Sequence, residues 1–167
     1  KYLLPKYNLL SLTRDDLDVS VIDESKILQF LHAHIQKYDV IINASGVIKQ
    51  REHRVVDMIM VNSIFPHILA KFKDEVGCNV IHVTTDCVFS GKKGSYVESD
   101  EHDCVDDYGK SKSLGENQKL TSIRTSIIGE EKYNKKCPTH RTPAKNTQYE
   151  MTKNCRQAMQ KIKALQS

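Results

Sequence analysis

The sequence lacks the features that mark membrane, disulfide-rich and zinc-binding proteins. Its 167 residues contain no apolar run near the roughly 18 residues that a membrane helix needs. Residues 1–5 lack the long apolar segment and the cleavage site of a signal peptide. The five cysteines are odd in number and form no C-x-x-C pair, which argues against a disulfide framework and a zinc site. A cytoplasmic protein with reduced thiols and no membrane partner is therefore expected.

Acidic residues are scarce in the last part of the chain. Residues 132–167 contain nine Lys or Arg and one acid, whereas the rest of the chain is net negative. Such a segment can contact nucleic acid or be a solvated tail, and its few aromatic residues make nucleic-acid binding the weaker interpretation. Within it, residues 132–146 resemble a linker and residues 151–162 a short amphipathic helix. Two parts are predicted, a core over residues 1–131 and this basic segment.

The core shows apolar runs that alternate with helical patterns. Strands are predicted at residues 7–12, 39–43, 79–84 and 120–125, and helices at residues 23–35, 58–72 and 107–114. Asp23 and Asp107 are the predicted N-caps of the first and last helices, and Pro66 should kink the middle helix or start a new turn. Short apolar strands alternating with helices are typical of a parallel sheet covered on both faces, so an α/β fold is predicted.

Polar residues lie where the predicted strands end, which is where open α/β sheets place their functional groups. Asn43 ends the second predicted strand, and residues 84–86 end the third with two hydroxyls and a carboxylate. Tyr108 and Lys112 are four residues apart on a predicted helix and therefore share one face. A neighbouring ammonium can lower the pKa of a tyrosine, about 10 when unperturbed, and so make it a general acid. Taken alone, this spacing is more often a solvated helix face.

Several further motifs, which occur in a fixed order, make a functional role for Tyr108 and Lys112 the favoured interpretation. The sequence has N-A-S-G at residues 43–46, V-N at 61–62, T-T-D-C-V-F-S-G at 84–91, Y-G-K-S-K-S-L-G-E at 108–116 and I-R-T at 123–125. Together they resemble the dTDP-4-dehydrorhamnose reductase family of the extended short-chain dehydrogenases, over about residues 8–131. The resemblance implies a Rossmann-like parallel sheet and an enzyme that uses NADP or NAD to reduce the 4-keto group of a nucleotide-linked 6-deoxysugar.

The resemblance also implies catalytic roles for individual residues. Tyr108 would protonate the carbonyl oxygen of the substrate. Lys112 would lower the pKa of Tyr108 and hold the nicotinamide ribose. Thr85 would orient the ketone, with Asp86 beside it.

Cofactor and substrate positions follow from the same resemblance. Residues that match the cofactor-binding segments are Asp18 and Val19 beside the adenine and Asn43, Ala44 and Ser45 at a strand-end turn. Arg14 can receive a 2′-phosphate and so favours NADP over NAD. Arg124 and Thr125 are expected to meet the nucleotide-sugar substrate. A homodimer is compatible with the sequence.

Two departures from the family pattern qualify these expectations. The first glycine is Gly46, so the glycine-rich turn that receives a pyrophosphate and the first strand are expected to be missing, which would leave the sheet with an uncovered edge. Residues 132–167 do not resemble the lobe that encloses the sugar nucleotide in the family. A fragment of an ordinary enzyme is favoured over a gapped sequence or a degenerate relative, because the proposed catalytic residues are intact. The main alternative function is a non-catalytic nucleotide-binding subunit that resembles the regulatory β subunit of methionine adenosyltransferase.

Overall fold

The structure is a computed structural model that describes residues 7–48 and 54–126. Its elements are helix α1 (Glu24–His34), strand β1 (Val40–Asn43), helix α2 (Val55–Ile59), a π-helical turn (Met60–Ile64), helix α3 (Phe65–Val76), strand β2 (Asn79–Thr85), a 3₁₀ turn (Asp86–Val88), helix α4 (Asp107–Gly115) and strand β3 (Thr121–Thr125). The predicted boundary after residue 131 and the predicted short helix at residues 151–162 lie outside the described residues.

The three strands form a parallel sheet in the order β1-β2-β3. Asn43 pairs with His82, and Thr85 pairs with Thr125, so the carboxyl ends of the strands lie along one edge. The Thr125 hydroxyl donates a hydrogen bond to the Thr84 carbonyl at 3.2 Å, which links the ends of β2 and β3. The predicted parallel α/β sheet is confirmed, and it gathers the polar strand ends into one region.

The strand predicted at residues 7–12 is wrong. This segment is irregular, and the side chains of Leu9, Leu10 and Leu12 are exposed. An apolar run becomes a strand only where a neighbouring strand accepts its hydrogen bonds. Within the described residues β1 pairs only with β2, and its side chain Ile42 is 47% exposed. The expected uncovered edge of the sheet is therefore present along β1 in this part of the chain.

Carboxylate caps begin the first and last helices. Asp23 caps α1 as predicted, because its side chain accepts a hydrogen bond from the Lys26 N–H at 2.9 Å. The predicted cap Asp107 of α4 is wrong by one residue. Asp106 has the extended backbone of a cap and accepts from the Gly109 N–H at 3.0 Å, while Asp107 is already helical.

Pro66 starts a new turn, as predicted, at the junction of the π-helical turn and α3. Proline has no N–H to donate to the carbonyl four residues earlier, which is that of Asn62. The wider π-helical turn accommodates the missing donor. The Asn62 carbonyl lies against Gly115 of α4, so closely that a Cβ on Gly115 would overlap it. This irregular turn is therefore where α4 meets the long helical segment.

The continuous helical segment Val55–Val76 is long and apolar enough to cross a membrane by length and composition. This corrects the expectation that no apolar segment approaches the length of a membrane helix. The segment has a high mean hydropathy, but scattered polar residues interrupt its apolar runs. Its most apolar stretch is 56% buried inside the protein. Phe65, Leu69 and Phe72 pack in the hydrophobic core with Ile27 of α1. These contacts are those of a core helix, so the segment organises the fold around β2.

Candidate active site

Hydrogen bonds dock α4 onto the π-helical turn. Ser63 Oγ donates to the Ser111 carbonyl at 2.7 Å, and Asn62 Nδ2 donates to Ser111 Oγ at 3.0 Å. All three side chains are buried. Directional bonds fix the rotation of a helix more narrowly than apolar packing does. The docking therefore sets where Tyr108 and Lys112, on the same helix, can point.

Tyr108 lies half buried beside the end of β2. Burial is the largest influence on its phenol and raises the pKa of Tyr108 above its usual value, while a side-chain hydrogen bond with Thr85 opposes that rise. The Thr85 hydroxyl also accepts from the Cys87 N–H at 3.2 Å and lies 3.4 Å from the Asp86 carboxylate. The structure thus brings together Tyr108, Thr85 and Asp86. With its pKa raised, the phenol is protonated at neutral pH, which is the form a proton donor requires.

Lys112 lies one helical turn after Tyr108 and is only 4% exposed. Its ammonium donates to the Ser45 carbonyl at 3.2 Å, and burial lowers the pKa of Lys112 to about 8. A Cβ at Gly46 would lie 2.9 Å from the ammonium, so glycine leaves room for it. Burial dominates the pKa of Tyr108, and its lowering by Lys112 stays a prediction.

The turn that follows β1 is held from both sides. Asn43 Oδ1 accepts hydrogen bonds from the Ser45 N–H at 3.1 Å and the Ser45 hydroxyl at 2.7 Å. Asn62 bonds to both backbone groups of Val47, at 2.9 Å each. Ala44 is exposed beside these contacts. One braced turn next to Lys112 therefore contains the three residues that were predicted to bind the cofactor, Asn43, Ala44 and Ser45.

Asn62 and His82 carry site contacts for which the sequence suggested no role. Asn62 occurs in the V-N motif, but nothing in the sequence indicated that its side chain bonds to Val47 in the turn after β1. His82 is fully buried in β2, and its Nδ1 lies 3.1 Å from Asn43 Nδ2. Burial, and then the positive charge of Lys112, lowers the pKa of His82 to about 4. The only signal for His82 was a titratable residue inside an apolar strand.

The Arg124 side chain is engaged by protein groups. Its Nε lies 3.0 and 3.1 Å from the two Glu116 carboxylate oxygens, and its Nη2 lies 2.7 Å from one of them. Nη1 donates to the Glu98 carbonyl at 3.1 Å, and Nη2 lies 2.8 Å from His102 Nε2. This network fixes the end of α4 to β3. Contact of Arg124 with a substrate stays a prediction, and it would compete with these bonds.

The residues predicted at the adenine side lie in a turn before α1. Arg14 Nε is 3.5 Å from the Asp18 carboxylate, and Asp18 also accepts from the N–H and hydroxyl of Ser20. The bond from the Ser20 hydroxyl is the largest cause that lowers the pKa of Asp18. Val19 is buried in the hydrophobic core. The Arg14 side chain is 56% exposed and the Asp18 side chain 29% exposed, so both are accessible.

Relatives with known names share this architecture. The chain is 35% identical over 126 residues to a dTDP-4-dehydrorhamnose reductase of Aggregatibacter actinomycetemcomitans, covering 74% of this chain and 42% of that protein. It is 29% identical to the spore coat polysaccharide biosynthesis protein SpsK of Bacillus subtilis, covering 73% of this chain and 43% of the relative. The crystal structure of a dTDP-4-dehydrorhamnose reductase from Clostridium acetobutylicum superposes with a TM-score of 0.59 at 26% identity, covering 68% of this chain and 41% of that one.

A structure described as a hypothetical dTDP-4-dehydrorhamnose reductase from Sulfolobus tokodaii gives a TM-score of 0.54 at 28% identity, with 65% and 40% covered. The chain thus spans about two fifths of the length of these relatives. The profile of the RmlD substrate binding domain matches residues 4–131, which is more than half of the chain. The chain belongs to the RmlD substrate binding domain family.

Proposed function

We propose that this chain carries the catalytic part of a reductase that uses NADPH or NADH to reduce the 4-keto group of a nucleotide-linked 6-deoxysugar. The observation that carries the proposal is the half-buried Tyr108 phenol near the Thr85 hydroxyl at the end of β2, with the buried Lys112 one turn later. The names of the relatives support the substrate class. The proposal includes the cytoplasmic location expected from the sequence.

The two hydroxyls of Thr85 and Tyr108 are suited to hold one carbonyl oxygen. Both can donate a hydrogen bond, and Thr85 is close enough to lower the pKa of Tyr108, which supports a single oxygen within reach of both. Such donors stabilise the negative charge that develops on the oxygen as the carbonyl is reduced. Tyr108 then delivers the proton, and the raised pKa of Tyr108 keeps that proton in place until it is needed. Asp86 lies beside Thr85 and would contact the sugar.

The residues present fit the nicotinamide side of a dinucleotide. A reduced nicotinamide, when bound, supplies the hydride. The Lys112 ammonium has three donors, of which the Ser45 carbonyl takes one, so it can also bond to ribose hydroxyls. The braced turn at Asn43, Ala44 and Ser45 would line the cofactor. Arg14 would face a 2′-phosphate, since its guanidinium is largely exposed.

The test is to follow the loss of reduced-cofactor absorbance with a dTDP- or UDP-linked 4-keto-6-deoxyhexose, using the longest form of the protein that its gene encodes. Tyr108→Phe should lower kcat by about 10²- to 10⁴-fold, because it removes the proton donor while keeping the ring. Tyr38→Phe is the matched control, because Tyr38 is 76% exposed, and it should turn over like the wild type. Undiminished turnover by Tyr108→Phe would remove this residue from the mechanism.

A second function is a nucleotide-binding regulatory subunit without catalysis. The observation that favours it is the engagement of Arg124 by Glu116, Glu98 and His102, which leaves a predicted substrate contact occupied by protein groups. In that case the protein would bind a nicotinamide nucleotide but show no turnover with any 4-keto sugar. Tyr108→Phe would then leave binding to a partner protein unchanged.

A further inference from the structure

His82 occupies an unusual place for an imidazole. It lies fully buried in the middle of β2, directly opposite Asn43 in the strand register. Its Nδ1 is 3.1 Å from the Asn43 amide nitrogen. A buried polar side chain is costly unless its bonds are satisfied. It therefore matters which of the two nitrogen atoms in the contact with Asn43 is the donor and which is the acceptor.

The bonds of Asn43 determine which way its amide points. Its oxygen accepts two hydrogen bonds from Ser45, at 3.1 Å and 2.7 Å, so its nitrogen faces His82. An amide nitrogen only donates. With this orientation His82 Nδ1 is the acceptor and the ring hydrogen is on Nε2, which has no hydrogen-bond partner among the described residues.

The same turn connects His82 to the proposed active site. The Ser45 carbonyl accepts the hydrogen bond of the Lys112 ammonium at 3.2 Å. We propose that His82 is a positioning residue, which holds Asn43 so that the following turn presents the Ser45 carbonyl to Lys112. This inference rests on the proposed function, in which Lys112 holds the nicotinamide ribose.

The groups around His82 support a neutral ring. Burial, and then the Lys112 charge, lowers the pKa of His82 to about 4. Glu116, which follows the last residue of α4, and the backbone of Asn43 act in the opposite direction but do not outweigh them. A protonated ring would place an N–H donor against the Asn43 donor and break the contact. The neutral ring therefore keeps its acceptor throughout the pH range in which a nicotinamide reductase works.

The first test needs no mutation. Nitrogen chemical shifts of the His82 ring in the ¹⁵N-labelled full chain, assigned by comparison with a His82→Asn sample, should show hydrogen on Nε2 and none on Nδ1 at pH 7. Hydrogen on Nδ1 would overturn the proposal, because that nitrogen could no longer accept from Asn43.

The second test measures whether the His82 side chain affects the pKa of Lys112. His82→Leu removes the acceptor and keeps an apolar side chain, whereas His82→Asn keeps an acceptor near the position of Nδ1. With ¹³C-labelled lysine ε-carbons, the titration midpoint of Lys112 should move down in His82→Leu, because the ammonium loses its carbonyl partner while it stays buried. His82→Asn should restore the wild-type midpoint. An unchanged midpoint in a folded His82→Leu would overturn the proposal.

Kinetics separate this inference from the proposed function. In the active protein His82→Leu should raise the KM for the reduced cofactor by about tenfold, the usual effect of one lost hydrogen bond, with little change in the KM for the sugar. His82→Asn should recover most of that loss. If the wild type shows no turnover, the proposed function fails, while the ring shifts and the Lys112 titration still decide the role of His82.

Discussion

Lys112 keeps an ammonium in a place that water hardly reaches. The Ser45 carbonyl is its hydrogen-bond acceptor, and burial lowers the pKa of Lys112 to about 8. An ordinary lysine stays charged to beyond pH 10, with a pKa of about 10.4. The charge that the proposed mechanism uses is therefore lost within the range of a normal enzyme assay.

The pH dependence of the reaction should show this loss. Below about pH 8 Lys112 is protonated and holds the ribose, and above it the neutral amine binds less well, so kcat/KM for the cofactor should fall with an apparent pKa of about 8. Lys112→Arg should react more slowly but show no such fall, since guanidinium stays charged. The check is a set of initial rates between pH 6 and 10, and a flat wild-type profile over that range would contradict the assignment.

The pKa of Tyr108 and the pKa of Lys112 shift in opposite directions. Burial raises the pKa of Tyr108 and lowers the pKa of Lys112, because in both cases burial disfavours the charged form. A protonated phenol and a mostly protonated amine therefore coexist at neutral pH. This is the pair of states that a ketone reduction needs, with one group donating a proton and the other holding a cofactor.

At the scale of elements, two glycines bring the backbone of α4 close to its neighbours. A Cβ on Gly115 would overlap the Asn62 carbonyl, and a Cβ on Gly109 would overlap the Cys87 carbonyl. Both glycines have ordinary helical backbones, so it is space rather than conformational freedom that requires them. The two glycines of the Y-G-x-S-K-x-x-G-E motif thus let the helix that carries Tyr108 sit close to the π-helical turn and the 3₁₀ turn.

Gly115→Ala measures this close approach. Alanine favours a helix over glycine by about 1 kcal/mol, yet the clash with Asn62 should make the variant less stable by about 1–3 kcal/mol. Leu114→Ala is the control on the same helix, because Leu114 is 65% exposed, and its cost should stay within about 0.5 kcal/mol. Urea unfolding followed by circular dichroism gives both values. A Gly115→Ala variant as stable as the wild type would show that α4 can shift away from the turn.

Local pattern predicted most helices and strands but not how they fit together. The apolar spacing in α1, α3 and β2 reflects burial in the core, and burial leaves a period in the sequence. The π-helical turn leaves no such period, because it arises where Pro66 removes a donor and Asn62 meets α4. The segment at residues 7–12 has the composition of a strand, and composition cannot supply the neighbour that a strand needs.

The same limit applies to the site. Tyr108, Lys112 and Thr85 could be chosen from motifs, since each motif is local. The contact of His82 with Asn43 joins residues 39 positions apart. The hydrogen-bonded ion pair of Glu116 and Arg124 depends on how α4 packs against β3. Such partners become visible only when the strands are set side by side.

At the scale of the whole molecule, the described residues supply one side of the proposed nucleotide site. Lys112 and the Asn43 turn suit the nicotinamide ribose, and Arg14 suits a 2′-phosphate. Between them a pyrophosphate needs several backbone N–H groups that converge at close range, which glycine-rich turns provide at the start of a helix. The sequence before Gly46 has no glycine, so residues 7–45 do not offer such a turn.

The 167-residue chain should therefore bind NADP weakly. Without a pyrophosphate partner we expect a Kd of about 1 mM or weaker by calorimetry, since the remaining ribose and phosphate contacts are few. Arg14→Ala should abolish any preference for NADP over NAD and leave NAD binding unchanged, because only the 2′-phosphate distinguishes the two. Micromolar affinity for NADP in the 167-residue chain would contradict this expectation. It would mean that another part of the chain supplies the missing N–H donors, and competition by pyrophosphate alone would then show where the affinity comes from.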